Sequence, residues 1–308
     1  MSQPIDLAAP AVALLLARCP FPPAGTPVSC AVSGGADSLS LLVLAAAAGC
    51  EVTAIHVDHG LRPGSAAEAE VVAEVAARVG ARSRAERVMV TPGPNLEARA
   101  RAARYGALPP DVLTGHTADD RAETVLLHLL RGAGPTGLAG IRRSARRPLL
   151  DLRRADTVSL GTELGLVPVD DPSNRDPAFR RNRVRHELLP LLADIGDRDP
   201  VPVLVRQADL FAGLDDAVAE LASAIDPTSA AELRRAPAGV AGAAVRAWLM
   251  AEGIGGGYPA DAATVGRVLA VARNDRVATE VSGGWRVARS RGRLSVRPPG
   301  PWQDAQHG

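Results

Sequence analysis

Apolar and polar positions alternate between two periods in the first half of the chain. Val28-Ser29-Cys30-Ala31-Val32 is a short, mostly apolar run with β-branched ends and predicts a strand. Leu39-Ser40-Leu41-Leu42-Val43-Leu44-Ala45 is apolar all round and predicts a buried helix, closed by Gly49. Glu51 to Val57 predicts a second strand, Ser65 to Val79 a helix, Arg84 to Val90 a third strand and Asp111 to Gly115 a fourth. Helices are predicted at Asn95–Tyr105 and Arg121–Leu130 between and after these strands, and at Ile5–Arg18 before them. Strands alternating with helices imply an α/β fold with a doubly wound parallel sheet. Further on, arginines at 180–185 open a helix running to Leu192, Gly196–Pro202 reads as a linker, and Val203–Ala224 is an amphipathic helix. Shorter helices follow up to Asn274. A small β-meander spans Val277–Val296, turned at Ser282-Gly283-Gly284 and Arg291-Gly292. The expected division is an N-terminal domain over 1–198, a smaller, mainly helical domain over 199–297, and a disordered tail over 298–308.

Composition narrows the class. The chain has 308 residues, is 46% hydrophobic and 22% charged, and carries a net charge of +1. These values fit a globular protein that is not a polycation, so any nucleic-acid surface must come from local clustering. All 35 basic residues are arginine. The three cysteines, Cys19, Cys30 and Cys50, form no C-x-x-C pair, which fits a reducing compartment and argues against structural zinc. With no basic leader and no apolar run of the roughly 18–20 residues a membrane span needs, the expectation is a cytoplasmic protein with no membrane partner.

Chemistry concentrates at the carboxyl ends of the predicted strands, where parallel sheets bind ligands. Ser33-Gly34-Gly35-Ala36-Asp37-Ser38 is a Gly-rich turn between strand and helix. Such a turn aims backbone N–H groups and a helix dipole at an anion. Without lysine it is not a Walker loop, and it lacks the G-x-G-x-x-G spacing. Asp37 inside a phosphate cradle makes sense if it holds Mg²⁺ or orients a nucleotide. His116, Asp119, Asp120 and Glu123 lie at a strand end and over the start of a helix, with Asp119 and Asp120 each placed on a face with Glu123. Helix capping accounts for one or two of these acids, not three beside a histidine; Mg²⁺ binding or capture of a cationic amine accounts for the set. His56 and His59 flank Asp58, and His56 inside its strand reads as a structural hydrogen-bonding residue. The arginines at 142–154 and 180–185 suggest a face for a nucleic-acid backbone.

These motifs resemble a known family. Ser33–Ser38 is similar to the pyrophosphate loop of N-type ATP pyrophosphatases, the PP-loop group with an adenine nucleotide alpha hydrolase-like fold. His56-Val57-Asp58-His59-Gly60-Leu61-Arg62, Gly115-His116-Thr117-Ala118-Asp119-Asp120-Arg121-Ala122-Glu123-Thr124, and Arg131-Gly132-Ala133-Gly134 through Gly137-Leu138 resemble the tRNA(Ile)-lysidine synthetase family. So do Arg147-Pro148-Leu149-Leu150 and Asp171-Pro172-Ser173-Asn174 running to Arg185. The resemblance spans residues 28–192 and implies a ligase reaction. ATP adenylates the C2 oxygen of the wobble cytidine of a CAU-anticodon tRNA(Ile), and L-lysine then displaces AMP.

By the same resemblance, Ala31, Ser33, Gly34, Gly35, Ala36, Asp37 and Ser38 would hold ATP, with Asp37 near Mg²⁺. Arg101 would act on the phosphates or the adenylate, Asp120 and Glu123 would bind lysine or the metal, and Arg181 or Arg185 would contact tRNA or the activated base. His116 or Asp120 would accept the proton of the attacking amine. Longer members carry a further C-terminal domain, so this chain resembles the short form, in which a homodimer is one way to extend the tRNA surface. The alternatives are a PP-loop tRNA enzyme of the 2-thiolation type, a small-molecule ligase of the same group, and a non-enzymatic RNA-binding protein. Sulfur transfer usually needs paired or loop cysteines, which are absent; a small-molecule ligase has no use for the arginine clusters; and the acid set argues against a mere binder.

Overall fold

In a computed structural model, residues 3–58, 65–89, 99, 103, 105–169 and 171–299 are described. The chain divides into two compact units, Met1–Leu210 and Phe211–Gly308. That division falls inside a continuous helix, Pro200–Ser223, and not at the Gly196–Pro202 stretch.

The first unit is built on four parallel strands, β1 (Pro27–Ala31), β2 (Glu51–Asp58), β3 (Arg82–Arg87) and β4 (Leu113–Thr114), in the order β3-β2-β1-β4. This is the doubly wound arrangement expected. The chain turns from β1 outward to β2 and β3, then returns to the other side of β1 as β4. The crevice between the ends of β1 and β4 is therefore the topological switch point, where such sheets take ligands. Helix α1 (Pro10–Leu16) precedes the sheet. Helix α2 (Ala36–Ala47) follows β1 and is buried without a break from Ser38 to Ala45, as its uniformly apolar sequence requires. Helix α3 (Ser65–Arg78) connects β2 to β3.

Several boundaries differ from the sequence reading, three of them for a clear local reason. Helix α1 starts at Pro10 rather than Ile5, because proline is tolerated in the first helical turn and not inside, and Asp6 turns back to accept the Ala8 N–H at 2.9 Å. Strand β3 starts at Arg82 rather than Arg84; this edge strand is almost wholly exposed, so it carries no apolar signal and its register comes from backbone pairing with β2. Strand β4 keeps only Leu113 and Thr114 of Asp111–Gly115, paired with Cys30 and Ala31.

After β4, helix α4 (Ala118–Leu130) begins three residues before the predicted Arg121, and helix α5 (Arg154–Glu163) packs along α2, with the Ser40 hydroxyl donating to the Thr157 carbonyl at 3.1 Å. The predicted helix from Arg180 to Leu192 is an unbroken helical run that carries a π-turn over Val184–Leu188, between Arg180–Arg183 and helix α6 (Leu189–Gly196). Pro190 supplies the reason: it has no N–H for the His186 carbonyl four residues back, and its ring crowds that carbonyl. Helix α7 (Pro200–Ser223) contributes its residues up to Leu210 to this unit.

The second unit has its own core around Val245, Leu249, Val268 and Val287. It contains a short helix Ala230–Arg235, then α8 (Ala238–Ala251) and α9 (Ala262–Arg273), followed by an antiparallel meander β5 (Ala278–Val281), β6 (Trp285–Ser290) and β7 (Arg293–Arg297). Of the predicted Asn95–Tyr105 helix only Arg99, Ala103 and Tyr105 are described, each helical, and nearly all of the predicted tail lies outside the described residues. Among those described, no helix is long and apolar enough to cross a membrane.

Candidate active site at the switch point

The turn from β1 into α2 forms the first half of the site. Ser38 locks it: its hydroxyl accepts the Ser33 N–H at 3.1 Å and donates to the Gly35 carbonyl at 2.9 Å. Gly34 has φ +84°, and a Cβ there would lie 2.9 Å from Val169 Cγ2, so both conformation and space require glycine. Ala36 and Asp37 open α2, and their N–H groups have no acceptor within the helix, as an anion site at a helix start requires, whereas the Ser38 N–H returns to the Gly35 carbonyl at 3.0 Å. Gly115, just past β4, packs on this turn; a Cβ there would lie 2.8 Å from the Asp37 carbonyl oxygen. A cavity of about 870 Å³ opens here, lined by the turn together with Ile55, Tyr105, Leu108, His116, Arg154 and Arg185.

The second half is a set of acids closed by arginines from two later segments. Asp37 is held by the Thr157 hydroxyl and by Arg154 Nε at 3.2 Å. Burial pushes its carboxyl above the usual carboxylate range, outweighing Arg154 and Thr157. Asp120 divides its two oxygens. Oδ2 accepts the Thr117 N–H at 2.9 Å and caps α4, while Oδ1 accepts Arg154 Nη2 and Arg181 Nη2, both at 2.9 Å. Burial alone raises this carboxyl too, but the guanidinium groups of Arg154 and Arg181 prevail and hold it below the usual range. Glu123 is fully buried and accepts Arg181 Nε and Arg185 Nε, each at 2.7 Å. Arg154 Nη1 stands 3.6 Å from it. Asp119 turns away from this group. It takes the Arg153 fork at 3.0 and 3.1 Å and the Arg154 backbone N–H at 2.8 Å, and Arg153, also paired with Asp199, holds it below the usual range against the effect of burial.

The structure thus places the Ser33–Ser38 turn, His116 and Arg185 at one crevice and connects Asp120, Glu123 and Arg181 to it through Arg154 and Arg185. Arg101 and Arg104 lie outside the described residues, as do His59 through Arg62. His56 is buried, with Nδ1 on the Val32 carbonyl at 3.0 Å, the structural role its strand position suggested. The arginine clusters are not the open basic face that the sequence suggested. Arg143 pairs with Asp151 at 2.5 Å and Arg183 with Glu187 at 2.8 Å, and Arg153, Arg154, Arg181 and Arg185 all point at site acids. Arg154 and Thr157 are the site residues that the sequence reading missed. Thr157 carries no signal, and Arg154 was hidden within its basic run.

Among the described residues, no group of three His, Cys, Asp or Glu side chains is arranged to hold a metal. The single carboxylate of Asp37 beside an anion cradle still fits Mg²⁺, which takes one or two protein carboxylates and completes its shell with phosphate and water. Of the cysteines, Cys19 and Cys30 are buried, which pushes both thiols up to about 12, far from a reactive thiolate.

Comparison with known proteins agrees with this geometry. A family described as a PP-loop domain matches residues 18–192. A tRNA(Ile)-lysidine synthase of Nocardia farcinica is 45% identical over 251 residues, covering 76% of this chain and 78% of the relative. One from Thermobifida fusca is 38% identical over 310 residues, covering 92% and 90%. Among solved structures, the U34-tRNA thiolase NcsA from Methanococcus maripaludis, solved with its [4Fe-4S] cluster, has the same fold at a TM-score of 0.50. It is 18% identical, and the match covers 65% of this chain and 77% of the thiolase. With a PP-loop model matched over residues 18–192 and relatives 38–45% identical over most of their length, the chain belongs to the tRNA(Ile)-lysidine synthase family of PP-loop enzymes.

Proposed function

We propose that this enzyme ligates L-lysine to C2 of the wobble cytidine in a CAU-anticodon tRNA(Ile), spending ATP and releasing AMP and pyrophosphate. The observation that supports this most is a single side chain, Arg154, which lines the switch-point cavity and joins its anion cradle to a buried acid pair behind it, Asp120 and Glu123. The cradle suits a triphosphate, and the acid pair suits an ammonium.

The residues divide the chemistry as follows. The Ser33–Ser38 turn binds the phosphates and places the α-phosphorus, so that the cytidine oxygen attacks it and pyrophosphate leaves. Mg²⁺, held at Asp37, would neutralise phosphate charge. Asp120 and Glu123 orient lysine. The attacking amine forms the C2–N bond, AMP leaves with the C2–O bonding pair, and the amine gives up a proton. Asp120 is a poor acceptor for that proton, because the arginines keep it strongly acidic. His116 is the better base: it lines the cavity, and its Nδ1 pairs with the Thr114 hydroxyl at 2.9 Å, which fixes the ring.

Incubation with ATP, labelled lysine and the CAU tRNA should place label in the tRNA, and Asp37→Ala should prevent it. Absence of label with the unaltered enzyme would overturn the reading. With preformed adenylate, His116→Ala should slow lysine transfer about a hundredfold or more, and Asp120→Asn should mainly weaken lysine binding.

A further inference from the structure

Three acids of the crevice, Asp37, Asp120 and Glu123, face three guanidinium groups, Arg154, Arg181 and Arg185. The group is already neutral, so an arriving ammonium gains little unless one guanidinium moves. Arg181 and Arg185 engage only the α4 acids. Arg154 alone among them also reaches the phosphate turn: Nε on Asp37 at 3.2 Å, Nη2 on Asp120 at 2.9 Å and Nη1 at 3.6 Å from Glu123. One planar fork that lines the cavity therefore joins the anion cradle to the buried acid pair behind it. Its first residue position on α5 fixes the backbone, because the Asp119 carboxylate accepts the Arg154 N–H, so the long side chain is the part free to swing.

We propose that Arg154 is a positioning residue that couples the two halves of the site: triphosphate in the turn draws its guanidinium off Asp120 and Glu123 and opens that pair to the ammonium of lysine. Several negative charges beside Nε outcompete the two carboxylates by simple electrostatics. The order of events then follows: nucleotide first, amine second, with lysine kept out while the turn is empty. This inference rests on the function proposed above.

The test is calorimetry of L-lysine binding to the whole protein, with and without the α,β-methylene analogue of ATP and Mg²⁺. The unaltered protein should bind lysine at least about fivefold more tightly with the analogue, and by reciprocity lysine should tighten analogue binding by the same factor. In Arg154→Ala, lysine binding without nucleotide should equal or exceed that of the unaltered protein, and the ratio should fall to near one. In Arg154→Lys, which keeps the charge but cannot span three acids, the ratio should fall as well. General damage would instead weaken lysine in both states and leave the ratio alone. A ratio near one in the unaltered protein, an undiminished ratio in both variants, or loss of lysine binding in Arg154→Ala overturns the proposal. If the analogue fails to bind the unaltered protein at all, the ligase reading itself falls; if it binds and the ratio is flat, only the coupling does.

Discussion

The phosphate turn and the acid pair are a few ångströms apart and are built on opposite plans. The turn is made of contiguous residues, closed by two hydroxyls and two glycines, and the N–H groups of Ala36 and Asp37 lack helical partners by the nature of a helix start. The acid pair is made of charges from three distant segments, and each acid is already matched by arginine. The turn is ready for a ligand as it stands. The acid pair must exchange one partner for another. A site can thus be preorganised on one side and self-satisfied on the other, and the self-satisfied side is where order of binding can be controlled.

The contrast predicts where damage will be structural and where it will be functional. The largest effect belongs to Glu123→Ala, which strands two arginines against a buried gap; denaturant unfolding should show a loss of about 3 kcal/mol, with Glu123→Gln losing less. Gly34→Ala comes next. Crowding against Val169 and the positive φ should cost about 2 kcal/mol, and nucleotide affinity should fall while lysine binding without nucleotide is unchanged.

The smallest effect is in the acid dependence of stability. Asp119 and Asp120 lie below their ordinary values, so their contribution is complete above about pH 4 and is lost as pH falls through their folded values. Asp37 is shifted the other way, so its protonation, beginning above about pH 4, favours the folded state. Melting temperatures of the unaltered protein and Asp120→Asn should therefore differ at neutral pH and converge in acid. Convergence at neutral pH would show that the arginine pairing adds nothing to stability.

The same contrast explains what the sequence disclosed. Ser33–Ser38 is local, so its strand, turn and helix were all legible from neighbouring residues. That the strands are parallel was legible too, from strands alternating with helices, whereas their order in the sheet came from the structure. The acids at 119–123 were visible as a cluster, but not their division of labour: Asp120 both caps α4 and binds arginine, and Asp119 belongs to Arg153. Least legible were the cations. Dense arginine reads as a surface for nucleic acid, and nothing local says which carboxylate, some thirty to sixty residues away, each guanidinium will meet. The near equality of 35 basic and 34 acidic residues was the one hint that many charges would be spent internally. Edge strand β3 was mislocated because its exposed residues carry no pattern, and the π-turn was missed because the consequence of Pro190 appears only in three dimensions.

Thr157 and Arg154 reach Asp37 from a helix that follows it by more than a hundred residues. The nucleotide-gripping corner is therefore not a portable module. Grafted with its own strand and helix into another parallel sheet, it would arrive without its counterweight, and a recombinant chimera would need the α5 segment as well. Crossovers between relatives should be tolerated after Gly196, past the arginines that close the α4 acids, far better than between Ala47 and Arg185.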